Sequence, residues 1–192
     1  MHLLSGIQCV TGINQIPSRA FSTGSLTHFK DGRDYPDLLA TLYDYPGVTV
    51  NVHCNQNNDA GEDTIFYGKE GTLTINGNTV NFVAQDTRPQ PEYYALDGWT
   101  ADAKKKYYDD WRAGHPQPPA SLPPRETFSA PQGYDDTAEH IAAFFRAIET
   151  REHVVEDEVF GNNTAIACHM ANHSYFHMNV AKWDSAAQMI EA

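Results

Sequence analysis

Cysteine is scarce in this chain of 192 residues: Cys9, Cys54 and Cys168 are odd in number and far apart. That excludes a disulfide framework and a zinc knuckle, and leaves buried or half-buried, unbridged thiols in a reducing, cytoplasmic setting as the expectation. Basic charge is scarce as well. Lys and Arg total 13 against 25 Asp and Glu, a net charge of −12. A surface so acidic repels phosphate backbones and anionic bilayers, so neither nucleic acid nor membrane is an expected partner. No run approaches the ~20 apolar residues of a membrane helix, and no basic-then-apolar leader opens the chain. No two of the 13 glycines sit at i and i+2, so no G-x-G-x-x-G loop exists. The G-x-x-x-x-G-K-[ST] and G-x-S-x-G patterns are absent too. The chain therefore lacks the usual devices for holding a pyrophosphate on a helix N-terminus or presenting a nucleophilic serine.

What is present suits an ordinary globular domain: 41% apolar and 20% charged residues, enough chain to bury a real core. One domain over 1–192 is expected. Leu3, Leu4, Ile7 and Val10 have helical spacing and are followed by Gly12. This helix starts almost at Met1, which hints at a chain cut from a longer one. From 17 to 84 the pattern changes to short runs rich in Val, Ile, Thr, Tyr and Phe: 17–24, 37–45, 48–53, 63–67, 71–75 and 79–83. Pro46-Gly47 and Asn76-Gly77 join neighbouring runs and demand antiparallel pairing. A broad, largely antiparallel sheet is expected.

Residues 85–133 form an excursion. Trp99 to Trp111 reads as a short exposed helix, and six of the 11 prolines fall between Pro116 and Pro131, an extended surface segment. Its aromatic side chains point to packing, with a partner subunit one candidate surface. The last third reads as helical. Asp136 and Glu139 are placed as an N-cap and N3 pair, followed by an apolar stripe at Ile141, Phe144, Phe145 and Ile148. A second helix is expected over 158–178, with Ala165, Ala167, Cys168 and Ala171 allowing close packing. Strands first and helices last, without βαβ alternation, give α+β as the fold class.

Candidate chemistry is sparse. His169, His173 and His177 are spaced by four on the second helix, where neighbours can share a metal. Eight residues of helix separate the outer two by about 12 Å, so one ion cannot hold all three without strain. No H-E-x-x-H accompanies them, and hydrogen-bonded core or cleft histidines are expected instead of a metal site. His2 sits at a helix start, a place where ligands and catalytic groups meet, or simply at a frayed end. His53 ends a strand beside Asn55, Gln56, Asn57 and Asn58. That cluster can line a pocket for a hydroxylated ligand or form a solvated loop. The acidic pairs read as solvated faces or helix starts.

Several runs, taken in order, resemble one family. They are His28-Phe29-Lys30-Asp31-Gly32-Arg33-Asp34-Tyr35-Pro36-Asp37, Tyr43-Asp44-Tyr45-Pro46-Gly47 and Tyr67-Gly68-Lys69-Glu70-Gly71-Thr72-Leu73. Glu139-His140-Ile141 with Phe144, Ala147-Ile148-Glu149, Cys168-His169-Met170-Ala171-Asn172 and Lys182-Trp183-Asp184 follow. Apart from the excursion, this order resembles the C-terminal domain of the Gfo/Idh/MocA oxidoreductases, which include glucose–fructose oxidoreductase and inositol dehydrogenase. The resemblance implies an open, mostly antiparallel sheet with helices packed on one face, as in glyceraldehyde-3-phosphate dehydrogenase. It implies a parent protein whose N-terminal Rossmann domain binds NAD or NADP, with no cofactor bound to this chain. It further implies a sugar, polyol or derivative as substrate, and a homodimer or higher oligomer formed through the sheet face. In the family's signature an aspartate precedes a histidine by four residues, and a lysine lies in the Rossmann domain. His2 matches that histidine and is the catalytic candidate, with the lysine and aspartate falling before Met1. Ser5 stands where many members have Asp. His53 and Asn55 are the substrate-binding candidates. The chain alone is expected to be inactive. A stand-alone sugar-binding or scaffolding module and a histidine-dependent metal protein are the competing readings.

Overall fold

The computed structural model describes residues 1–61, 63–117 and 121–191. Pro118, Pro119 and Ala120 of the proline-rich run lie outside the described residues. The chain runs α1 (His2–Thr11), β1 (Arg19–Ser25), β2 (Leu38–Tyr45), β3 (Val48–Asn55), β4 (Thr64–Tyr67), β5 (Gly71–Asn76) and β6 (Thr79–Ala84). It continues with α2 (Ala101–Gly114), β7 (Glu126–Ser129), α3 (Asp136–Thr150), α4 (Glu158–His177), β8 (Ala181–Asp184) and β9 (Met189–Glu191). Every strand pairing is antiparallel, and the class is α+β. The strands fall into two sheets rather than one, ordered β3-β2-β1-β8-β9 and β4-β5-β6-β7. The chain divides correspondingly into two compact units, residues 1–60 with 135–192, and residues 61–134.

The first unit holds the main core. Alternation along the strands turns Ala20, Tyr43, Tyr45 and Val50 to one face, where they pack with Leu4, Ala167, Met170, Ala171 and Ala181. Helix α4 lies on that face and crosses β1. Its contact residues Ala167, Ala171 and Ser174 are small and fully enclosed, so the helix backbone comes close to the strand. The Ser22 N–H donates to Ser174 Oγ over 2.8 Å. It needs that partner because the β1–β8 ladder covers only Arg19 and Ala20. The Ser174 hydroxyl donates in turn to the Asn179 carbonyl, which ties the helix end to the turn into β8. Helix α1 docks on α4 through Leu4 and Gln8, both buried; the Thr164 hydroxyl donates to Gln8 Oε1. Gly12 ends α1 at φ 70, a conformation that costs a residue with a Cβ more than it costs glycine.

Helix α3 is capped by Asp135, one residue before the expected Asp136: its Oδ1 accepts from the Ala138 N–H over 3.0 Å. The apolar stripe on this helix is not buried. Ile141, Phe144, Phe145 and Ile148 are 48%, 58%, 59% and 47% exposed.

In the second unit, β5 and β6 meet at Asn76-Gly77-Asn78-Thr79 in the expected hairpin. Leu73, Ile75, Val80 and Phe82 share one face with Phe66 and Phe128. Gly71 is required here, since a Cβ would meet the Val83 carbonyl oxygen at 2.4 Å. The expected surface helix is α2, braced by Lys105–Asp109 and Lys106–Asp110 pairs at i,i+4. After α2, Glu126–Ser129 pairs with β6.

The seat of α4 makes a direct prediction. Ser174→Ala leaves the Ser22 N–H and the Asn179 carbonyl unpartnered in a dry interface, and should cost about 1–3 kcal/mol. Urea unfolding should show a lower midpoint with an unchanged slope.

Candidate functional site

The face of the five-stranded sheet turned away from α4 carries Arg19, Phe21, Thr23, Leu42, Asp44, Asn51 and His53, because these alternate with the core residues. Phe21 and Leu42 are direct cross-strand neighbours, 44% and 46% exposed. The Arg19–Asp44 ion pair flanks them. A depression of about 250 Å³ is lined by Arg19, Phe21, Leu42, Asp44 and Val180. That is below the ~300–1,000 Å³ of small-molecule clefts.

His53 is exposed on this face, opposite Ala40, and Asn55 lies two residues on, half-buried and opposite Leu38. Asn55 belongs to a built network. Its Oδ1 accepts from the Asn57 N–H over 2.9 Å, and its Nδ2 donates to Asn58 Oδ1 over 3.2 Å. Asn57 Nδ2 donates to Thr27 Oγ1 over 2.8 Å. Thr27 leads to Asp37, a side chain at 1% exposure. The Asp37 carboxylate accepts from the backbone N–H groups of Thr27, His28 and Phe29 at 2.6–3.2 Å and from the Thr27 hydroxyl at 3.3 Å. Burial opposes its ionisation, but these donors outweigh burial and hold its pKa at about 2. Beside it the Arg33 guanidinium lies 3.8 Å above the Phe29 ring, pairs with Asp31 and donates to Gln56 Oε1 over 3.3 Å. The strand-end asparagines are thus neither a bare pocket wall nor a loose loop. They are cross-linked to the β1–β2 connection.

His2 is elsewhere. It is the exposed first residue of α1, which packs against α4 on the opposite side of the sheet from His53. The structure brings His53 and Asn55 to one strand end and does not join His2 to them. The α4 histidines separate as well. His173 and His177 stack with ring centres 4.1 Å apart, and His177 Nδ1 lies 2.9 Å from the His173 carbonyl oxygen. His169 is exposed. Among the described residues no group of three or more His, Cys, Asp or Glu side chains could hold a metal ion. Cys168 is half-buried as expected, whereas Cys9 and Cys54 are exposed. Cys9 sits on the outer side of α1; Cys54 lies near the end of β3. Burial pushes the Tyr45 hydroxyl up to about 12. Sequence reasoning did not single out Asp37 or Arg33. The signal was an aspartate at the mouth of a strand, ten residues after a threonine, facing consecutive backbone donors.

The Asp37 knot has a pH signature. Its pKa is depressed in the folded chain, so its contribution is complete above about pH 4 and is lost as pH falls toward about 2. Asp37→Asn should lower the urea midpoint at pH 7 and lose less than the parent between about pH 4 and pH 2.

No protein-family model matches the chain, and no curated protein matches it in sequence. Solved structures do match. One is yvaA from Bacillus subtilis, provisionally classed as an oxidoreductase: TM-score 0.51 and 12% identity, over 95% of this chain and 51% of that one. Another, from Bacteroides fragilis and provisionally classed likewise, has a TM-score of 0.50 and 11% identity, over 94% of this chain and 51% of that one. Identity at this level speaks for the fold. The chain spans about half the length of these solved proteins, and its fold is that of one half of proteins classed as oxidoreductases.

Proposed function

We propose that this chain is the substrate-side and oligomerisation domain of an NAD(P)-dependent oxidoreductase of the Gfo/Idh/MocA type, acting on a sugar, polyol or derivative. The observation that carries this reading is the fold match, which spans 95% of this chain but only 51% of yvaA. The absence of any G-x-G-x-x-G loop agrees with it, since the nicotinamide cofactor then belongs to the other half of the parent. On this reading His2 takes part in proton transfer at the reacting carbinol once the nucleotide-binding half and its lysine and aspartate complete the site. His53 and Asn55 offer hydrogen bonds to a hydroxylated ligand, although His2 starts a helix on the other side of the sheet. The cellular setting proposed is the cytoplasm. Among the described residues, no helix is long and apolar enough to cross a membrane.

Sequencing the source DNA upstream of the Met1 codon tests the reading. An in-frame extension of ~100–200 residues with a glycine-rich loop after a strand supports it. A stop codon immediately upstream overturns it and leaves a stand-alone sugar-binding or scaffolding module. The isolated chain should neither quench nor shift NADH or NADPH fluorescence.

The open sheet face is proposed as the oligomer contact. Phe21 and Leu42 place apolar area on it between polar neighbours, the usual make-up of a covered patch. Light scattering should give a multiple of 21.4 kDa. Phe21→Arg combined with Leu42→Arg should shift the mass toward the monomer without changing the circular dichroism.

A further inference from the structure

Of the 12 asparagines in the chain, only Asn76 precedes a glycine. The pair sits at the tip of the β5–β6 hairpin. Asn76 is opposite Thr79, and Gly77 and Asn78 lie between them without partners in the register. Two bonds fix the phase of this ladder. The Gly68 N–H donates to the Gly71 carbonyl, and the Gln85 N–H donates to the Glu70 carbonyl. By alternation Thr64 and Phe66 exchange backbone bonds with Ile75 and Leu73, while Asn76 exchanges its own with Thr79. Asp63, one step before β4, therefore faces Asn76 at a position without backbone bonds, where opposed side chains lie closest. Asn76 Nδ2 donates to Asp63 Oδ1. Thr79 and Ser129 continue the row, hydroxyl to hydroxyl at 3.4 Å.

The Asn76 carboxamide is an electrophile next to the backbone nitrogen of Gly77, and no Cβ shields that nitrogen. The nitrogen gives up its proton, through solvent, to the leaving group and bonds to Asn76 Cγ. The Cγ–Nδ2 bond breaks, ammonia departs and a cyclic imide remains. Water then opens one or other C–N bond of the imide, leaving aspartate or isoaspartate at position 76. No electrons are transferred, and water is the only reagent. Either product inverts the contact with Asp63. A hydrogen-bond donor becomes an anion, and two carboxylates then oppose each other across the strands. Like charges directly opposite destabilise a strand pair. Strand β4 is the element exposed to this, since it has four residues and only β5 beside it in its sheet. Isoaspartate also adds a methylene to the backbone between β5 and the turn.

We propose that Asn76 is a site of spontaneous deamidation, and that the change acts as a one-way charge switch that loosens β4 from β5. The Asn76–Asp63 hydrogen bond is the closed state, and the opposed carboxylates are the open one. The inference concerns the second unit alone and stands whether or not the oxidoreductase reading does.

Ageing the full chain in mildly alkaline buffer, followed by tryptic mapping, tests the site. The fragment of residues 70–104 should gain the mass difference between water and ammonia at position 76 before any other asparagine changes. An isoaspartate methyltransferase should label the same fragment. Asn76→Gln keeps a donor for Asp63 and should abolish both signals. Asn76 remaining intact while other asparagines convert overturns the proposal. The switch is tested by exchanging the two side chains. Asn76→Asp should speed amide exchange at Thr64 and Phe66 by about twofold to fivefold, the effect of one opposed like-charge pair. Adding Asp63→Asn restores one amide and one carboxylate, and should return exchange to the parent rate. Unchanged exchange in Asn76→Asp, or exchange that stays fast in the double variant, overturns the switch. If Asn76→Asp alters the circular dichroism, the aged parent chain, separated from the unaged by ion exchange, replaces it. Parent-like exchange at Thr64 and Phe66 in that converted fraction likewise overturns the switch.

Discussion

One contact organises the first unit: α4 lying directly on β1. Small residues at 167, 171 and 174 let the helix approach until a serine hydroxyl can satisfy a strand N–H. Strand β1 has only two residues of pairing to β8, so that hydroxyl is the partner its Ser22 N–H finds. The same helix holds α1 through Thr164 and Gln8 and, through Ser174 and Asn179, sets where the chain turns back into the sheet. A bulky residue at Ala171 would lift the helix and leave the Ser22 N–H without its partner, so packing and hydrogen bonding fail together there.

Much of this architecture was legible in the sequence because its signals are local. The first helix, six strands, both tight turns and the helix at 158–177 follow from periodicity and turn chemistry that neighbouring residues set. What was missed is non-local. Strands β8 and β9 have four and three residues, too short to show a period; β8 pairs with the edge that β1 offers, and β9 pairs with β8. The division into two sheets depends on which strands find one another, which alternation within a strand does not encode. The stripe on α3 was read correctly as amphipathic, but amphipathicity states only that a face needs cover. At the candidate site His53 and Asn55 were found as a polar cluster. The Asp37 knot that anchors them was not, because it joins residues 27–29, 37 and 55–58 across three segments.

The sheet is two-sided in a way that bears on function. Its inner face is filled by α4, so no ligand can reach it without displacing the helix. Its outer face is broad and shallow, with apolar residues at the centre and hydrogen-bonding groups at one strand end. The depression there, about 250 Å³, is smaller than the ~300–1,000 Å³ of small-molecule clefts. A ligand pocket on this side would need a wall that the first unit does not itself supply.

The carboxylate of Asp37 has a last consequence, for the connection it closes. Its hold on the backbone of residues 27–29 brings the two ends of the β1–β2 connection together before the residues between them are considered. The length of residues 30–36 then matters little to closure, since doubling a flexible loop costs only about 0.6 kcal/mol. This connection can therefore gain or lose residues near Asp34 while the strands on either side keep their register. Such a site is where chains sharing this fold can diverge in length and surface chemistry without disturbing the sheet.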